Sequence, residues 1–208
     1  MPMSLRVVVP PHPLIMHWLS ILRDNNTPPA LFTTGFEQIG KWLTYEAIRE
    51  WIPYRQETLQ TDHGEITNNI IDPNYKIIAI TTLIGGLNMW IGAKEVLPNS
   101  YLSIDKIPKD ISSQSGIILY SGEISNGKKI IDNIEALKEI NVNENRIRII
   151  SVIASSKGLT NLAEKYPSLT IYTTCIDEKI NENNQIIPGI GNLDIRLTTI
   201  CNEYQKIN

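Results

Sequence analysis

Short apolar runs of strand length alternate with helical segments through the second half of the chain, and this alternation constrains the fold most strongly. The predicted strands are 76–83, 116–119, 146–154 and 168–174, and the predicted helices between them are 87–97, 128–140 and 158–166. Continuous apolar strands are typical of parallel sheets that are buried on both faces. Because strand–helix–strand order joins parallel strands by right-handed crossovers, the sequence predicts an α/β doubly wound sheet flanked by helices.

The first half of the chain has a different pattern. It predicts a strand at 5–9, a helix at 13–24 and a longer helix at 28–51, for which Thr27 is the expected N-cap. Residues 54–70 mix polar and apolar side chains without a period, which is consistent with a hairpin or an irregular strand.

Composition excludes several classes of protein. With 208 residues, 42% of them hydrophobic, the chain is long enough for one well-buried core, and a single domain is expected. A net charge of -3 without a basic run argues against a nucleic-acid partner, and no apolar run is long enough to predict a membrane span. Cys175 and Cys201 lack the spacing of a zinc site or a disulfide framework, so both are expected to be small apolar residues in or near the core.

The segment from Leu119 to Lys128 has the outline of a phosphate-binding strand–loop–helix. Ligands of such sheets bind beyond the carboxyl ends of the strands, and the start of the helix at Lys128 would attract a phosphate. Gly122 and Gly127 permit a tight path, but the pattern is not a P-loop and the loop lacks the expected acidic side chains. Structural turn glycines are the favoured alternative.

Other candidate groups each have a structural alternative. Asp177, Glu178 and Glu182 follow a predicted strand and suit acid–base or magnesium chemistry, or simply a solvated loop. Residues 188–191 form a rigid Pro/Gly loop able to bind a planar amide-like ligand, or a β-turn. The remaining singled-out residues are expected to be structural or to lie at a subunit interface: His12, His17, Trp18, Trp42, Trp51 and Trp90.

Five blocks of sequence, in order over nearly the whole chain, resemble one enzyme family. They are Val8-Val9-Pro10-Pro11-His12-Pro13-Leu14, Asn26-Thr27-Pro28-Pro29, Trp42-Leu43-Thr44-Tyr45-Glu46-Ala47, the tract from Ile171 to Glu182, and Ile186-Ile187-Pro188-Gly189-Ile190-Gly191. The family is uracil phosphoribosyltransferase, in the version of photosynthetic bacteria and plastids. The resemblance places this chain in the plastid stroma or the bacterial cytoplasm.

The resemblance implies a type I phosphoribosyltransferase-like α/β fold with an N-terminal arm. It implies one domain over 1–208, with the arm and dimerisation helices in 1–53 and the core sheet in 76–208. The family joins uracil to phosphoribosyl pyrophosphate with magnesium, giving UMP and pyrophosphate. The family's uracil-reading loop corresponds here to Ile186, Pro188, Gly189 and Gly191.

The departures from the family lie on the phosphoribosyl pyrophosphate side. The matching loop holds Tyr120, Ser121, Ser125, Asn126 and Gly127 in place of Asp-Pro and Ala-Thr-Gly-Gly. Ile84 stands where the family has an arginine, the 191–196 segment has lost the family's acidic side chains from their places, and the 98–106 connection is short. The Tyr120 ring is expected to fill the space of the ribose phosphate.

A phosphate- and pyrophosphate-bearing substrate needs cations and hydrogen-bond donors to offset its charge. The leading hypothesis is therefore a non-catalytic homologue with no catalytic residue, no metal and no cofactor. Its partner would be a second copy in a homodimer or a protein assembly, with uracil or a nucleotide as the remaining ligand to test. The alternative is an active, divergent enzyme that uses magnesium, Asp177, Glu178 and the helix start after Gly127.

Overall fold

A six-stranded parallel sheet forms the centre of the protein, which is described by a computed structural model covering residues 4–97 and 99–197. In chain order the elements are β1 (Arg6–Val8), α1 (Pro13–Arg23), α2 (Pro29–Ile48), β2 (Tyr54–Thr61), β3 (Gly64–Ile71), β4 (Ile77–Thr81), α3 (Gly85–Ala93), β5 (Ser100–Ile104), β6 (Gly116–Ile124), α4 (Lys128–Glu139), a short 3-10 turn (Glu144–Arg146), β7 (Ile147–Ser155), α5 (Ser156–Lys165), β8 (Thr170–Asp177), β9 (Lys179–Ile180), β10 (Ile186–Ile187) and α6 (Leu193–Leu197). The strand order is β1-β8-β7-β6-β4-β5, and every pair in this sheet is parallel. The predicted α/β parallel sheet is confirmed.

Helices cover both faces of the sheet. On one face α1, α2 and α3 pack over the sheet through side chains such as Phe36, Leu43 and Met89, which are fully buried. On the other face α4 and α5 bury Ile134 and Leu162 in a second apolar cluster. Burial on both faces explains why the central strands are continuous apolar runs.

Helices α2 and α3 approach each other unusually closely. A Cβ added to Gly40 would lie 2.1 Å from the carbonyl oxygen of Met89, and one added to Gly92 would lie 1.9 Å from the carbonyl oxygen of Glu37. The two helices therefore cross with their backbones in contact, and this crossing fixes α3 and the β4–α3 loop that precedes it.

The N-terminal helices begin with specific caps. His12 is the N-cap of α1, its Nδ1 accepting a hydrogen bond from the Leu14 N–H (3.2 Å), and its ring stacks on Trp42 at 5.7 Å. The expected N-cap of α2 is wrong by one residue, because Pro28 holds that position. The Thr27 hydroxyl instead donates to the Ile21 carbonyl (2.6 Å).

Several element boundaries differ from those predicted. Strand β6 continues to Ile124, five residues past its predicted end, because Ser121, Glu123 and Ile124 still pair with β7. The short 98–106 connection contains β5, which was not predicted. Residues 54–71 form the antiparallel hairpin β2–β3, whose side chains are exposed on both faces.

Two remaining expectations concern membranes and cysteines. Within the described residues, no helix is long and apolar enough to cross a bilayer. Cys175 is a free, half-buried cysteine in β8, whereas Cys201 lies outside the described residues.

Candidate functional site

A cavity of about 230 Å³ lies at the carboxyl ends of β4 and β6, where ligands of such sheets bind. Three segments form it: the β4–α3 loop, the end of β6 with the loop into α4, and the start of α6. Its lining residues are Thr82, Leu83, Ile84, Gly85, Ser121, Gly122, Glu123, Ile124, Ser125, Asn126, Gly127, Lys128, Lys129, Ile130, Leu193 and Asp194. The structure thus brings together Ile84, Ser121, Ser125, Asn126 and Gly127, which the sequence had placed in one phosphate-side site.

Tyr120 is the exception, and the prediction that its ring fills the ligand space is wrong. Tyr120 pairs with Thr81 and Ile150 in the middle of the sheet, and its side chain is 1% exposed. Its hydroxyl shares a 2.8 Å hydrogen bond with the Thr44 hydroxyl of α2, and burial raises its pKa. Because β6 extends beyond Tyr120, this residue belongs to the core rather than to the end of the strand.

The loop from Ser125 to Gly127 is held by protein groups. The Asn126 side chain accepts a hydrogen bond from the Lys128 N–H (3.0 Å), the first N–H of α4. The Ser125 hydroxyl donates to the Asn184 carbonyl, and the Asn161 side chain donates to the Asn126 carbonyl (2.9 Å). A helix start can bind phosphate through its N–H groups, but here the Lys128 N–H is already occupied.

Gly127 is required at the start of α4. It is the N-cap residue, its φ is +76°, and an added Cβ would lie 2.9 Å from the Gly158 carbonyl oxygen. This supports the structural-glycine interpretation of this position, because a larger residue would be strained and crowded there.

The cavity wall carries an acidic pair that the sequence reading missed. Glu123 is partly buried beside the cavity, and burial together with the nearby charge of Asp194 raises its pKa to about 7. The usable signal was a single carboxylate within an otherwise apolar and small-residue strand. The sequence pattern predicts a loop for residues 121–127, so it does not predict a strand side chain in the cavity wall.

Two basic side chains, Lys128 and Lys129, line the cavity, and Lys129 is paired with an acidic group. Lys129 Nζ lies 3.2 Å from a carboxylate oxygen of Asp105, and both oxygens of that carboxylate accept the Leu83 N–H at 3.3 Å. Ile84 follows a cis peptide bond and contributes an apolar wall. At this position the wall therefore offers a pyrophosphate neither a charge nor a hydrogen bond.

Hydrogen bonds with side chains of β8, α1 and α6 fix the Pro188–Gly191 loop. The Gly189 N–H donates to Asp177 (2.9 Å), and Arg23 donates to the Gly189 carbonyl (3.0 Å) and to Asp177 (2.7 Å). Arg196 adds a 2.8 Å bond to the Ile190 carbonyl. Gly189 and Gly191 have φ values of +64° and +79°, the Ile187–Pro188 bond is cis, and Ile186 is buried in the β9–β10 pair.

Asp177 is structural in this arrangement. Burial alone would raise the pKa of its carboxyl, but hydrogen bonds from Arg23 and from the Gly189 N–H outweigh burial and hold the pKa below its usual range. A carboxylate that is ionised and bonded in this way is a poor proton donor. Glu178 and Glu182 are exposed, as the solvated-loop interpretation expects.

The residues present do not fit a protein-held magnesium site. Within residues 4–97 and 99–197, no group of three or more His, Cys, Asp or Glu side chains is placed to hold a metal ion. Of the acidic residues discussed, only Glu123 and Asp194 line the cavity, and the Glu123 carboxyl resists ionisation.

Comparison with known proteins shows the family to which the chain belongs. The sequence model of uracil phosphoribosyltransferase matches residues 9–197. The chain belongs to the uracil phosphoribosyltransferase family. It is 35% identical to the enzyme of that name from Synechocystis sp., over 90% of this chain and 94% of the relative. It is 33% identical to the chloroplastic one from Arabidopsis thaliana, over 89% of this chain and 68% of the relative.

A solved structure supports the fold. The AQ2163 protein from Aquifex aeolicus superposes with a TM-score of 0.79 over 93% of this chain and 98% of that protein, at 23% identity. The family model and the relatives at 33–35% identity confirm the family predicted from the sequence, and this structure confirms the fold.

Proposed function

We propose that this uracil phosphoribosyltransferase homologue is non-catalytic and acts as a binding or structural partner. The observation that carries the proposal is the closed loop at the start of α4. Asn126 occupies the Lys128 N–H, and the Ser125 hydroxyl is bonded to the loop at Asn184. Two donors that could meet a phosphate at this loop, the Lys128 N–H and the Ser125 hydroxyl, are thus bonded within the protein.

Charge around the cavity supports the same proposal. Glu123 and Asp194 place two carboxyl groups in the cavity wall, and Lys129 is already paired with Asp105, which leaves Lys128 as the other basic side chain of the lining. Ile84 supplies apolar surface where an arginine would offset charge. Charge stabilisation is usually the largest contribution to catalysis of such transfers, so its loss from several positions should abolish useful turnover.

The alternative is an active uracil phosphoribosyltransferase, and the names of the relatives at 31–35% identity favour it. Asp177 is not available to such an enzyme, because it is hydrogen-bonded to Arg23 and Gly189. The enzyme would then depend on the helix start after Gly127, and the 125–127 loop would have to open to expose it. The backbone N–H and carbonyl of Gly189 are hydrogen-bonded within the protein. A base would therefore have to bind at the exposed part of the loop, near Ile187 and Gly191. Uracil binding without phosphoribosyl pyrophosphate binding would fit the non-catalytic proposal.

The test is UMP formation from uracil and phosphoribosyl pyrophosphate with magnesium, together with calorimetric titration of each ligand. We expect no UMP and no micromolar binding of phosphoribosyl pyrophosphate by the wild type. Ile84→Arg alone should not restore either, because the other contacts are still absent and their effects are not additive. Turnover of about 1 per second or more would establish the active alternative.

The partner we propose is a second copy of the chain, or a protein that uses the same face. Exposed apolar side chains on α1 and α2, among them Met16 (48%) and Tyr45 (51%), support an interface there. The cyanobacterial and chloroplastic relatives support a plastid stroma or a bacterial cytoplasm as the place of action.

A further inference from the structure

Two arginines converge at the amino-terminal edge of the sheet, on the opposite edge from the candidate functional site. Arg6 of β1 and Arg148 of β7 are both in register with Thr170, the first residue of β8. Because neighbouring strands lie about 4.8 Å apart, their Cα atoms are separated by about 10 Å across β8. Residues in register on parallel strands share a face, so both side chains lie on the face covered by α2.

The Arg148 guanidinium uses only some of its hydrogen-bond donors. Its Nη1 donates to the carbonyls of Asn145 and Ile147 (3.1 Å each), and the guanidinium lies 4.9 Å from the Trp51 ring centroid. Its Nε is buried and has no hydrogen-bond partner among the described residues. A buried donor without a partner is uncommon and costs free energy.

Neither arginine forms a salt bridge within the described residues. Within the part of the chain that the structure describes, neither Arg6 nor Arg148 has a carboxylate oxygen within 4.0 Å. Glu46 is committed to Arg49 at 3.2 Å. Burial lowers the pKa of Arg148, whereas electrostatic interactions with Tyr172 and Tyr75 and a side-chain hydrogen bond with Tyr172 raise it, and the charge of Arg6 lowers it further.

A cavity of about 120 Å³ lies between these groups, lined by Arg6, Val8, Glu46, Ala47, Arg49, Glu50, Trp51, Arg148 and Tyr172. That is the space of about four waters, enough for a small ion and too little for a nucleotide. Arginines suit phosphate-type oxyanions because the planar guanidinium donates through several N–H groups at once.

We propose that Arg6, Arg148 and the Tyr172 hydroxyl form a binding site for a small tetrahedral oxyanion of the phosphate type. The anion would accept from the unused Arg148 N–H groups and from Arg6 at the rim. Glu50, which is exposed at the mouth, would disfavour larger polyanions that must pass it. The site is independent of the proposed function, because none of these residues lines the cavity at the carboxyl edge.

The proposal is tested by calorimetric titration at constant ionic strength in chloride buffer. The ligands are inorganic phosphate, sulfate, methyl phosphate and acetate. Methyl phosphate distinguishes a phosphate monoester from a free ion, and acetate tests whether a carboxylate binds equally well. We expect wild type to bind phosphate and sulfate more tightly than acetate. Arg148→Met and Arg6→Met should each weaken phosphate binding about tenfold or more, since each removes charged hydrogen bonds.

Arg55→Met is the matched control, because it removes an exposed arginine from the hairpin, and it should bind phosphate as wild type does. A second measurement is the Tm: phosphate should raise it for wild type and not for Arg148→Met, while without phosphate Arg148→Met should melt no lower than wild type. Equal phosphate binding by wild type, Arg148→Met and Arg6→Met, or no binding by wild type, would overturn the proposal. Arg6→Met keeps the test decisive if Arg148→Met does not fold, because Arg6 is exposed at the rim.

Discussion

At the scale of single residues, the candidate site depends on which side chains reach the cavity and which remain in the core. Tyr120 was expected in the cavity and lies in the core, bonded to Thr44. Glu123, three residues further along the same strand, lines the cavity instead. The pKa of its carboxyl is raised to about 7, so near neutral pH it is close to half protonated. Its charge, unlike that of a typical surface glutamate, changes within the physiological range.

Glu123 should make stability depend on pH. The folded state keeps this proton up to pH of about 7, whereas the unfolded chain releases it near pH 4.5. Stability is therefore lost as pH rises between these values and stays low above them. Glu123→Gln cannot ionise, so it should raise the free energy of unfolding at pH 8 by about 2 kcal/mol and change it little at pH 4.5.

Urea unfolding at the two pH values measures this effect, and Glu178→Gln, at an exposed carboxylate, is the control. An equal change for Glu123→Gln at both pH values would show that the carboxyl group is not buried as the structure has it.

At the scale of elements, the sequence predicted the buried strands and amphipathic helices of the second half because their side chains repeat with the period of the element. It failed at the end of β6, where Ser121 and Gly122 resemble a turn but belong to the strand, because Ser121 on one side and Glu123 on the other pair with β7. It also failed at β5, whose five residues are partly exposed and carry little apolar pattern. Both failures have one cause: long-range pairing, which a local pattern does not contain, decided the outcome. Because the end of β6 was predicted wrongly, the sequence predicted the loop of the candidate site but not Glu123 in its wall.

The α2–α3 crossing gives a test at this scale. Gly40→Ala would place a Cβ 2.1 Å from the Met89 carbonyl oxygen, and a backbone atom cannot move aside without moving α3. We expect a loss of roughly 3 kcal/mol or more in the free energy of unfolding, as for overpacked core positions. Gly35→Ala in the same helix is the matched control, because its close neighbour is the end of the flexible Leu22 side chain (2.7 Å).

Gly35→Ala should be near neutral, since alanine gains about 1 kcal/mol of helix propensity over glycine. Equal urea midpoints for the two variants would contradict the backbone contact between α2 and α3.

At the scale of the whole molecule, two regions have no covering layer within the described chain. The hairpin β2–β3 is exposed on both faces, with Leu59 and Ile66 paired across it at 37% and 47% exposure. An isolated two-stranded hairpin is at best marginally stable in water. The outer surface of α1 and α2 also exposes Met16 and Tyr45. Both features favour the assembly that the helical tryptophans first suggested.

We expect wild type to sediment as a dimer at micromolar concentration, and Tyr45→Glu to shift it toward monomer by placing a charge in the interface. Tyr101→Glu is the control, because Tyr101 is similarly exposed (60%) but lies on β5 at the far edge of the sheet. A monomeric wild type, or equal dissociation of both variants, would contradict an interface on α2.

The pairing of β1 with β8 has a consequence for how the chain reaches this fold during synthesis. The first strand can find its neighbour only after residues 170–172 have left the ribosome, and Arg23 meets Asp177 across 154 positions. Loop closure over such distances is slow compared with local helix formation. Helices α1 and α2 can therefore form during synthesis before the sheet against which they pack exists. Strand β1 is translated long before β8 but is secured only after it, and the apolar faces of α1 and α2 are open to chaperones in the meantime.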